Sequence, residues 1–155
     1  MGLIRVGLIS DTHGLLRPQA VAALQGSDFI VHGGDIGHAG ILDALAAIAP
    51  LTVVRGNNDR EAWGEAIPET ALLQLGSVRL LAIHDLSGLS GKPLGEGVRV
   101  VVSGHSHKPK VEERDGVLYV NPGSAGPRRF KLPIAVAELI VDGDTVSARI
   151  VELPL

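Results

Sequence analysis

Short apolar runs alternate with polar, glycine-containing loops through the first sixty residues. The runs are rich in Ile, Leu and Val, which predicts strands buried on both faces. Pro18 opens one intervening segment and Pro50 follows another, as helix boundaries do. The strands are predicted at residues 3–9, 28–31 and 51–54, and the helices at residues 18–24 and 40–49. Such alternation indicates a parallel sheet with helices on its faces.

The second half of the chain is richer in strands. Pairs of apolar runs are separated by short turns such as Asp115-Gly116, which predicts hairpins. The hairpins are expected at residues 69–83, 110–120 and 134–151, a further buried strand at 98–102, and an irregular loop at 86–97. Two facing sheets with helices outside them would bury all of these runs.

Composition limits the class of protein. The chain has 155 residues, which suits a single domain over residues 1–155, and 45% of them are hydrophobic. A net charge of -3 argues against a protein that coats nucleic acid. Without cysteine, any metal must be held by oxygen and imidazole ligands. The same absence fits a reducing compartment.

No targeting or membrane segment is recognisable. The apolar start is interrupted by Arg5 and ends at Ser10-Asp11, unlike a signal peptide or membrane span. Met1-Gly2 resembles a myristoylation signal, but Val6 stands where Ser or Thr is required. We therefore expect a cytoplasmic protein that does not enter a membrane.

Five polar groups each come directly after a predicted strand. They are Asp11 with His13, Asp35, Asn57 with Asp59, His84, and His105 with His107. In open α/β sheets, ligands bind beyond the carboxyl ends of the strands, so parallel strands would bring these groups together. Imidazoles, carboxylates and an amide oxygen suit divalent cations such as Mn²⁺, Fe²⁺, Zn²⁺ or Ni²⁺.

These groups also form an ordered series of motifs. The series is Asp11-Thr12-His13, Gly34-Asp35, Gly56-Asn57-Asn58-Asp59, His84, Gly104-His105-Ser106-His107 and Asn121-Pro122-Gly123-Ser124. It resembles the calcineurin-like metallophosphoesterases, in particular the small YfcE-type phosphodiesterases, which are similar in fold to the retromer subunit Vps29. The resemblance implies a four-layer α/β/β/α sandwich of two mixed β-sheets flanked by helices.

The resemblance also implies a site with two divalent metal ions. Mn²⁺ is the first choice, with Ni²⁺, Fe²⁺, Zn²⁺ and Mg²⁺ as alternatives. The implied ligands are Asp11, His13, Asp35 and His107 for the first metal and Asp35, Asn57, His84 and His105 for the second. Asp35 would bridge the two, and a metal-bridging hydroxide would attack a phosphodiester.

Other residues are candidates for catalysis or substrate binding. Asn58 stands where larger relatives carry His, and an amide is not a general acid, which favours diesters over monoesters. Asn58 either binds a phosphate oxygen or forms a turn, and Asp59 either orients a ligand or braces a loop. His38 is a candidate proton donor. Arg128 either binds a substrate phosphate or belongs to a solvated turn.

Asp85 follows His84 where many relatives have Gly. It either orients an imidazole or caps a turn.

Three functions fit this pattern. The leading one is a metal-dependent hydrolase of small-molecule phosphodiesters. The alternatives are a non-catalytic interaction scaffold like Vps29 and a nuclease of the same superfamily, which the absence of an obvious basic groove makes the weaker choice. The oligomeric state is left open, with a homodimer or higher homo-oligomer as one option because relatives in this family are often dimers.

Overall fold

The computed structural model describes residues 2–155. Ten strands, three short α-helices and one 3₁₀ turn follow one another along this part of the chain. They are β1 Ile4–Ile9, α1 Pro18–Leu24, β2 Phe29–His32, α2 Ala39–Ala46, β3 Leu51–Val53, α3 Ala62–Glu65, β4 Thr70–Leu75, β5 Val78–Ile83, the 3₁₀ turn Leu86–Leu89, β6 Val98–Val102, β7 Lys110–Arg114, β8 Val117–Asn121, β9 Ala135–Asp142 and β10 Thr145–Glu152.

Most predicted elements are present, with small differences at their ends. Helix α2 stops at Ala46, three residues before the predicted end, because the chain turns ahead of Pro50. Helix α3 has only four residues, too few to show an apolar period in the sequence. No helix of residues 2–155 is long and apolar enough to cross a membrane.

The strands form two mixed sheets of five strands each. The first sheet has the order β10-β9-β1-β2-β3, and the second has the order β4-β5-β6-β8-β7. Strands β1, β2 and β3 are parallel to one another, as are β5, β6 and β8, while the hairpin partners are antiparallel. This architecture confirms the predicted pair of mixed sheets.

The main core lies between the sheets. Val6 and Leu8 of β1 point into it from the first sheet, and Leu80 and Val100 meet them from the second. All four are fully buried, and burial of such a side chain contributes about 1.5–3 kcal/mol. Gly7 points the other way, and a Cβ on it would lie 2.6 Å from Leu24, so glycine lets α1 pack closely on β1.

The two outer faces are covered unequally. Helices α1 and α2 lie over the first sheet and bury Leu24, Ile41 and Leu45 with it. The second sheet is covered mainly by the segment 86–97, which contributes Leu89 and Leu94. Its outer layer is therefore one 3₁₀ turn and irregular chain, which leaves part of this face open.

The carboxyl ends of the parallel strands of both sheets meet at one edge of the molecule. Backbone hydrogen bonds join the loops there: Asp11 donates to Gly34 at 3.0 Å, Gly104 to His84 at 3.0 Å, and Ala125 to Ser10 at 3.1 Å. The loops that carry the predicted ligands are thus held by each other as well as by their strands.

Candidate metal centre

Three predicted ligands converge at the ends of β1 and β6. Nε2 of His107 lies 3.4 Å from Oδ1 of Asp11, and Nε2 of His13 lies 3.7 Å from the same oxygen. The two imidazole nitrogens are 3.3 Å apart. Asp11 and His107 are buried, whereas His13 is partly exposed. We call Asp11, His13 and His107 the first nest.

Three others converge beside them, at the ends of β3, β5 and β6. Oδ1 of Asn57 lies 3.0 Å from Nε2 of His84 and 3.3 Å from Nδ1 of His105. We call Asn57, His84 and His105 the second nest. The two histidines of the motif Gly104-His105-Ser106-His107, which follows β6, therefore face different nests, although they are only two residues apart.

Asp35 stands between the two nests. Its Oδ2 lies 3.7 Å from Nε2 of His13 in the first nest and 3.3 Å from Nε2 of His84 in the second. A single carboxylate oxygen is thus within reach of cations in both nests, which is the geometry that a bridging ligand needs.

The hydrogen bonding of Asp11 tests whether the first nest fits a cation. Its Oδ2 accepts hydrogen bonds from the Ser10 hydroxyl at 2.7 Å and from the His105 amide at 3.1 Å. Its Oδ1 is buried and has no hydrogen-bond partner among the described residues. A buried carboxylate oxygen without a donor is costly, and a cation held with His13 and His107 would compensate it. The donor set therefore fits a metal.

The second nest passes a similar test. Nδ1 of His84 lies 2.7 Å from the carbonyl oxygen of Gly33, so this nitrogen carries the proton and donates it. When the ring is neutral, Nε2 presents its lone pair toward Asn57 and Asp35, as a metal-binding imidazole does.

The backbone is unusual at the predicted ligands. Seven non-glycine residues between 2 and 155 have positive φ, a conformation that L-residues rarely adopt. Five of the seven are Asp11, His13, Asp35, His105 and His107. Strain of this kind persists where the surrounding structure enforces it, and it is typical of functional sites.

Comparisons with known proteins agree with this geometry. The calcineurin-like phosphoesterase superfamily domain matches residues 4–144. The chain belongs to that superfamily. A probable metallophosphoesterase of Methanothermobacter thermautotrophicus is 35% identical over 158 residues, which cover 94% of this chain and 91% of the relative. The metallophosphoesterase resemblance is therefore confirmed, and with it the class of metal-dependent phosphoester hydrolases.

Solved structures share the fold. One described as a novel archaeal phosphodiesterase has a TM-score of 0.77 and 22% identity over 96% of this chain and 100% of its own. Vps29 of Entamoeba histolytica, described as complexed with zinc, has a TM-score of 0.72 and 22% identity over 96% of this chain and 99% of its own. At 22% identity, each of these structures supports only the shared fold, the α/β sandwich.

Asp59 of this metallophosphoesterase chain holds two ligand loops together. Its carboxylate is 2% exposed and accepts hydrogen bonds from the amides of Asp35, Ile36 and Gly56 at 2.9 Å each. A fourth, longer bond comes from Gly37 at 3.4 Å. Of the two alternatives for Asp59, this geometry favours bracing of the loops after β2 and β3.

Glycine is required where those two loops touch. A Cβ on Gly56 would lie 2.1 Å from Oδ1 of Asp35 and 2.2 Å from its amide nitrogen. No real Cβ tolerates such contacts, so any side chain here would displace Asp35. This explains the glycine that precedes Asn57 in the motif.

Burial and contacts between neighbouring side chains set the charges of the predicted ligands. Burial alone would raise the pKa of Asp11, but the close imidazoles of His107 and His13, together with the hydrogen bond from Ser10, hold that pKa well below its usual range. Burial likewise opposes ionisation of Asp35, and contacts with His84 and the Asn58 amide lower the pKa of Asp35 overall. Burial opposes a charge on His84, yet the Asp35 carboxylate raises the pKa of His84. Asp11 and Asp35 are thus favoured as anions, and protonation of His84 would compete with the binding of a cation.

His32 lies beneath the site and is not a ligand. Its Nδ1 accepts a hydrogen bond from the Gly34 amide at 3.0 Å, and its Nε2 contacts the Thr12 hydroxyl at 3.0 Å. Complete burial lowers the pKa of His32 to about 4. It is thus a neutral, hydrogen-bonded ring that links the loops after β1 and β2.

Asn58 contacts the central carboxylate directly. Its amide donates to Oδ1 of Asp35 at 2.9 Å, and its side-chain Nδ2 donates to Oδ2 at 3.3 Å. Asn58 is exposed, so one side faces Asp35 and the other faces solvent.

The two remaining candidates, His38 and Arg128, are exposed side chains. His38 is exposed at the N-terminus of α2, where its ring lies near Gly14 and Gly40. Arg128 is exposed in the loop before β9. Within residues 2–155, neither makes a hydrogen bond or ion pair with a predicted ligand, and their roles in catalysis and substrate binding stay predictions.

Two clefts open beside the second nest. The wider cleft has a volume of about 720 Å³ and is lined by Asn57, His84, His105 and Arg60 among others. The narrower cleft, of about 310 Å³, lies between His105 and strand β7. We call them the wide cleft and the β7 cleft.

Arg60 was not predicted from the sequence. Its Nε donates to the carbonyl oxygen of Asn57 at 3.1 Å, which holds the guanidinium beside a predicted ligand and at the wall of the wide cleft. The only signal for it in the sequence is a basic residue directly after Asn57-Asn58-Asp59.

Proposed function

We propose that this metallophosphoesterase is a phosphodiesterase that works with two divalent cations, Mn²⁺ being the expected pair. The observation that carries the proposal is the position of Asp35 Oδ2, between two nests that each offer nitrogen and oxygen ligands. The buried, unpartnered Oδ1 of Asp11 supports it, because that oxygen has no counter-charge other than the neighbouring imidazoles.

Each nest would hold one cation. Asp11, His13, Asp35 and His107 would bind the first, and Asp35, Asn57, His84 and His105 the second. Two bound cations lower the pKa of a water molecule and stabilise the charge that develops on a phosphoryl group.

The remaining residues position these ligands and the substrate. Asn58 holds both oxygens of Asp35, and its exposed face is available to a phosphoryl oxygen. Arg60 is fixed at Nε by the Asn57 carbonyl, so its terminal nitrogens are free to bind phosphate from the wide cleft.

We expect a diester as the substrate because of its lower negative charge and because the structure identifies no general acid for the leaving group among the described residues. A diester carries one negative charge, whereas a monoester carries nearly two, and a poor alcohol leaving group of either ester needs a proton from a general acid. Asn58 is not an acid, and His38 is exposed at the N-terminus of α2 without a hydrogen bond to a predicted ligand within residues 2–155. Activated diesters should therefore be hydrolysed better than the matched monoesters.

The test is reconstitution followed by assay. Metal-depleted protein is loaded with Mn²⁺ and tested on bis(p-nitrophenyl) phosphate and p-nitrophenyl phosphate. We expect the diester to be hydrolysed faster, and Asp35→Asn to abolish the reaction while Asp43→Asn, on the exposed face of α2, does not. Wild-type protein that binds two cations yet hydrolyses no diester in a broad panel would refute the proposal.

The same panel separates the alternative functions. A Vps29-like scaffold would bind a protein partner without hydrolysis, and a nuclease would cleave single- or double-stranded DNA better than small diesters. The expected cytoplasmic location and homo-oligomer stay predictions, to be tested by fractionation and by light scattering.

A further inference from the structure

The wide cleft and the β7 cleft share a boundary at the second nest. Asp85 and His105 line both of them. The Asp85 carboxylate is fixed there because its Oδ1 caps the 3₁₀ turn by accepting from the Ser87 amide at 3.0 Å. Its Oδ2 lies 3.9 Å from Nε2 of His105. The two clefts therefore leave the candidate metal centre in different directions from a common ridge.

The β7 cleft is walled on one side by cations. Lys108, Lys110 and Arg114 line it together with the carboxylate of Glu112. Glu112 is shared, since it lies 3.1 Å from Lys110 and 3.7 Å from Arg114. Lys108 forms no ion pair within residues 2–155, so this wall carries an excess of two positive charges, and with Asp85 on the ridge the whole cleft carries an excess of one.

The floor of the β7 cleft is also pre-arranged. The guanidinium of Arg114 lies 4.2 Å from the centre of the Tyr119 ring, which holds this long side chain against the sheet. Asn121 is fixed by donating to the Gly104 carbonyl oxygen at 3.0 Å and to the Ser106 hydroxyl at 3.1 Å. The cleft is open because only a 3₁₀ turn and irregular chain cover this face of the second sheet.

We propose that the β7 cleft binds an anionic substituent on one arm of the phosphodiester, while the other arm lies in the wide cleft. The inference rests on the proposed phosphodiesterase function and adds the class of substrate. A phosphorus atom at the metal centre has two ester oxygens that diverge, and two clefts diverge from the same ridge. A monoester would need only one of them.

The experiment uses three p-nitrophenyl phosphodiesters with the same leaving group. Their second arms are propyl, 3-carboxypropyl and 3-aminopropyl, which are neutral, anionic and cationic. Consumption of each diester by the Mn²⁺-loaded protein is followed by phosphorus NMR, so that cleavage of either ester bond is counted. An exposed ionic contact contributes a few-fold, so two lysines should give the anionic arm an advantage of about tenfold in kcat/KM over the propyl arm.

The variants Lys108→Gln and Lys110→Gln identify the source of the preference. We expect each to reduce the anionic-to-neutral ratio about threefold, and the double variant to bring it close to one. Lys131→Gln removes the same charge from an exposed loop outside both clefts and should keep the ratio of the wild type. Raising the ionic strength to 0.5 M should also shrink the ratio, because the lysines are exposed.

The possible results separate a failure of the anion site from a failure of the proposed phosphodiesterase function. If no diester is hydrolysed, the proposed function itself fails. If the propyl diester is hydrolysed and the anionic arm has no advantage, the β7 cleft is not an anion site. A preference that survives the double lysine variant would overturn the assignment to this cleft as well.

Discussion

Replacement of Asp59 by Asn probes how the ligand loops are held. The buried carboxylate accepts two hydrogen bonds on each oxygen: Oδ2 from Asp35 and Gly56, and Oδ1 from Ile36 and Gly37. An Asn side chain retains one acceptor oxygen, while its NH₂ group faces two amide donors that it cannot satisfy.

The expected loss of unfolding free energy follows from the number of hydrogen bonds lost. A hydrogen bond to a charged acceptor contributes about 1.5–3 kcal/mol, and two are lost, so Asp59→Asn should cost about 3–6 kcal/mol of unfolding free energy. That is a large part of the 5–15 kcal/mol typical of a whole domain. Since Asp35 is the residue held, the affinity for the cations should fall too, although every predicted ligand remains.

The assay is guanidinium denaturation of metal-free protein, followed by metal titration of the folded variant. The matched control is Asp43→Asn, which removes the same charge from an exposed position in α2 and should change stability by less than about 0.5 kcal/mol. If Asp59→Asn loses less than about 1 kcal/mol and binds the cations as the wild type does, the loop-bracing role is refuted.

Three further predictions concern the ligands and the pH dependence. His105→Ala and His107→Ala should each leave about one cation per chain, bound in a different nest in each variant. Metal analysis should therefore show that the two variants prefer different cations. Loss of both cations in both variants would contradict separate nests. Metal affinity measured by calorimetry should weaken as the pH falls, because the raised pKa of His84 lets protons compete for its ring. His32 has a pKa of about 4 when folded and 6.5 when unfolded, so its contribution to stability is complete above pH 6.5 and lost as the pH falls toward 4, by about 3 kcal/mol. Denaturation of His32→Gln across this range should show a pH dependence weaker by that amount; an unchanged dependence would show that His32 is not the titrating group.

The sequence predicted the sheets and the position of the site because both depend on local patterns. Apolar runs such as those of β1 and β6 are long enough to identify strands, and the polar residues that follow them mark the strand ends. Parallel strands bring those ends to one edge whatever the details of packing. The family motif then supplied the division of the ligands between two cations.

Residues whose roles depend on contacts between distant loops could not be assigned in this way. Asp59 and Arg60 are adjacent in sequence, yet Asp59 turns inward to bind amides of the loop after β2, while Arg60 faces the wide cleft. Arg128 and His38 are basic residues near glycine-containing loops, as Arg60 is, but within residues 2–155 neither hydrogen-bonds to a predicted ligand or its loop as Arg60 does. Chemical type and order along the chain do not encode these directions.

The tertiary structure alone decided what surrounds the metal centre. Side chains of β7 reach the ridge of Asp85 and His105 only because β7 pairs with β8 at the edge of the second sheet and the covering segment there is thin. The alternation of residues along a strand specifies which side chains share a face of the sheet, but not whether another segment of the chain covers that face. The sequence thus predicted the candidate ligands, and the packing of the two sheets determined the clefts beside them.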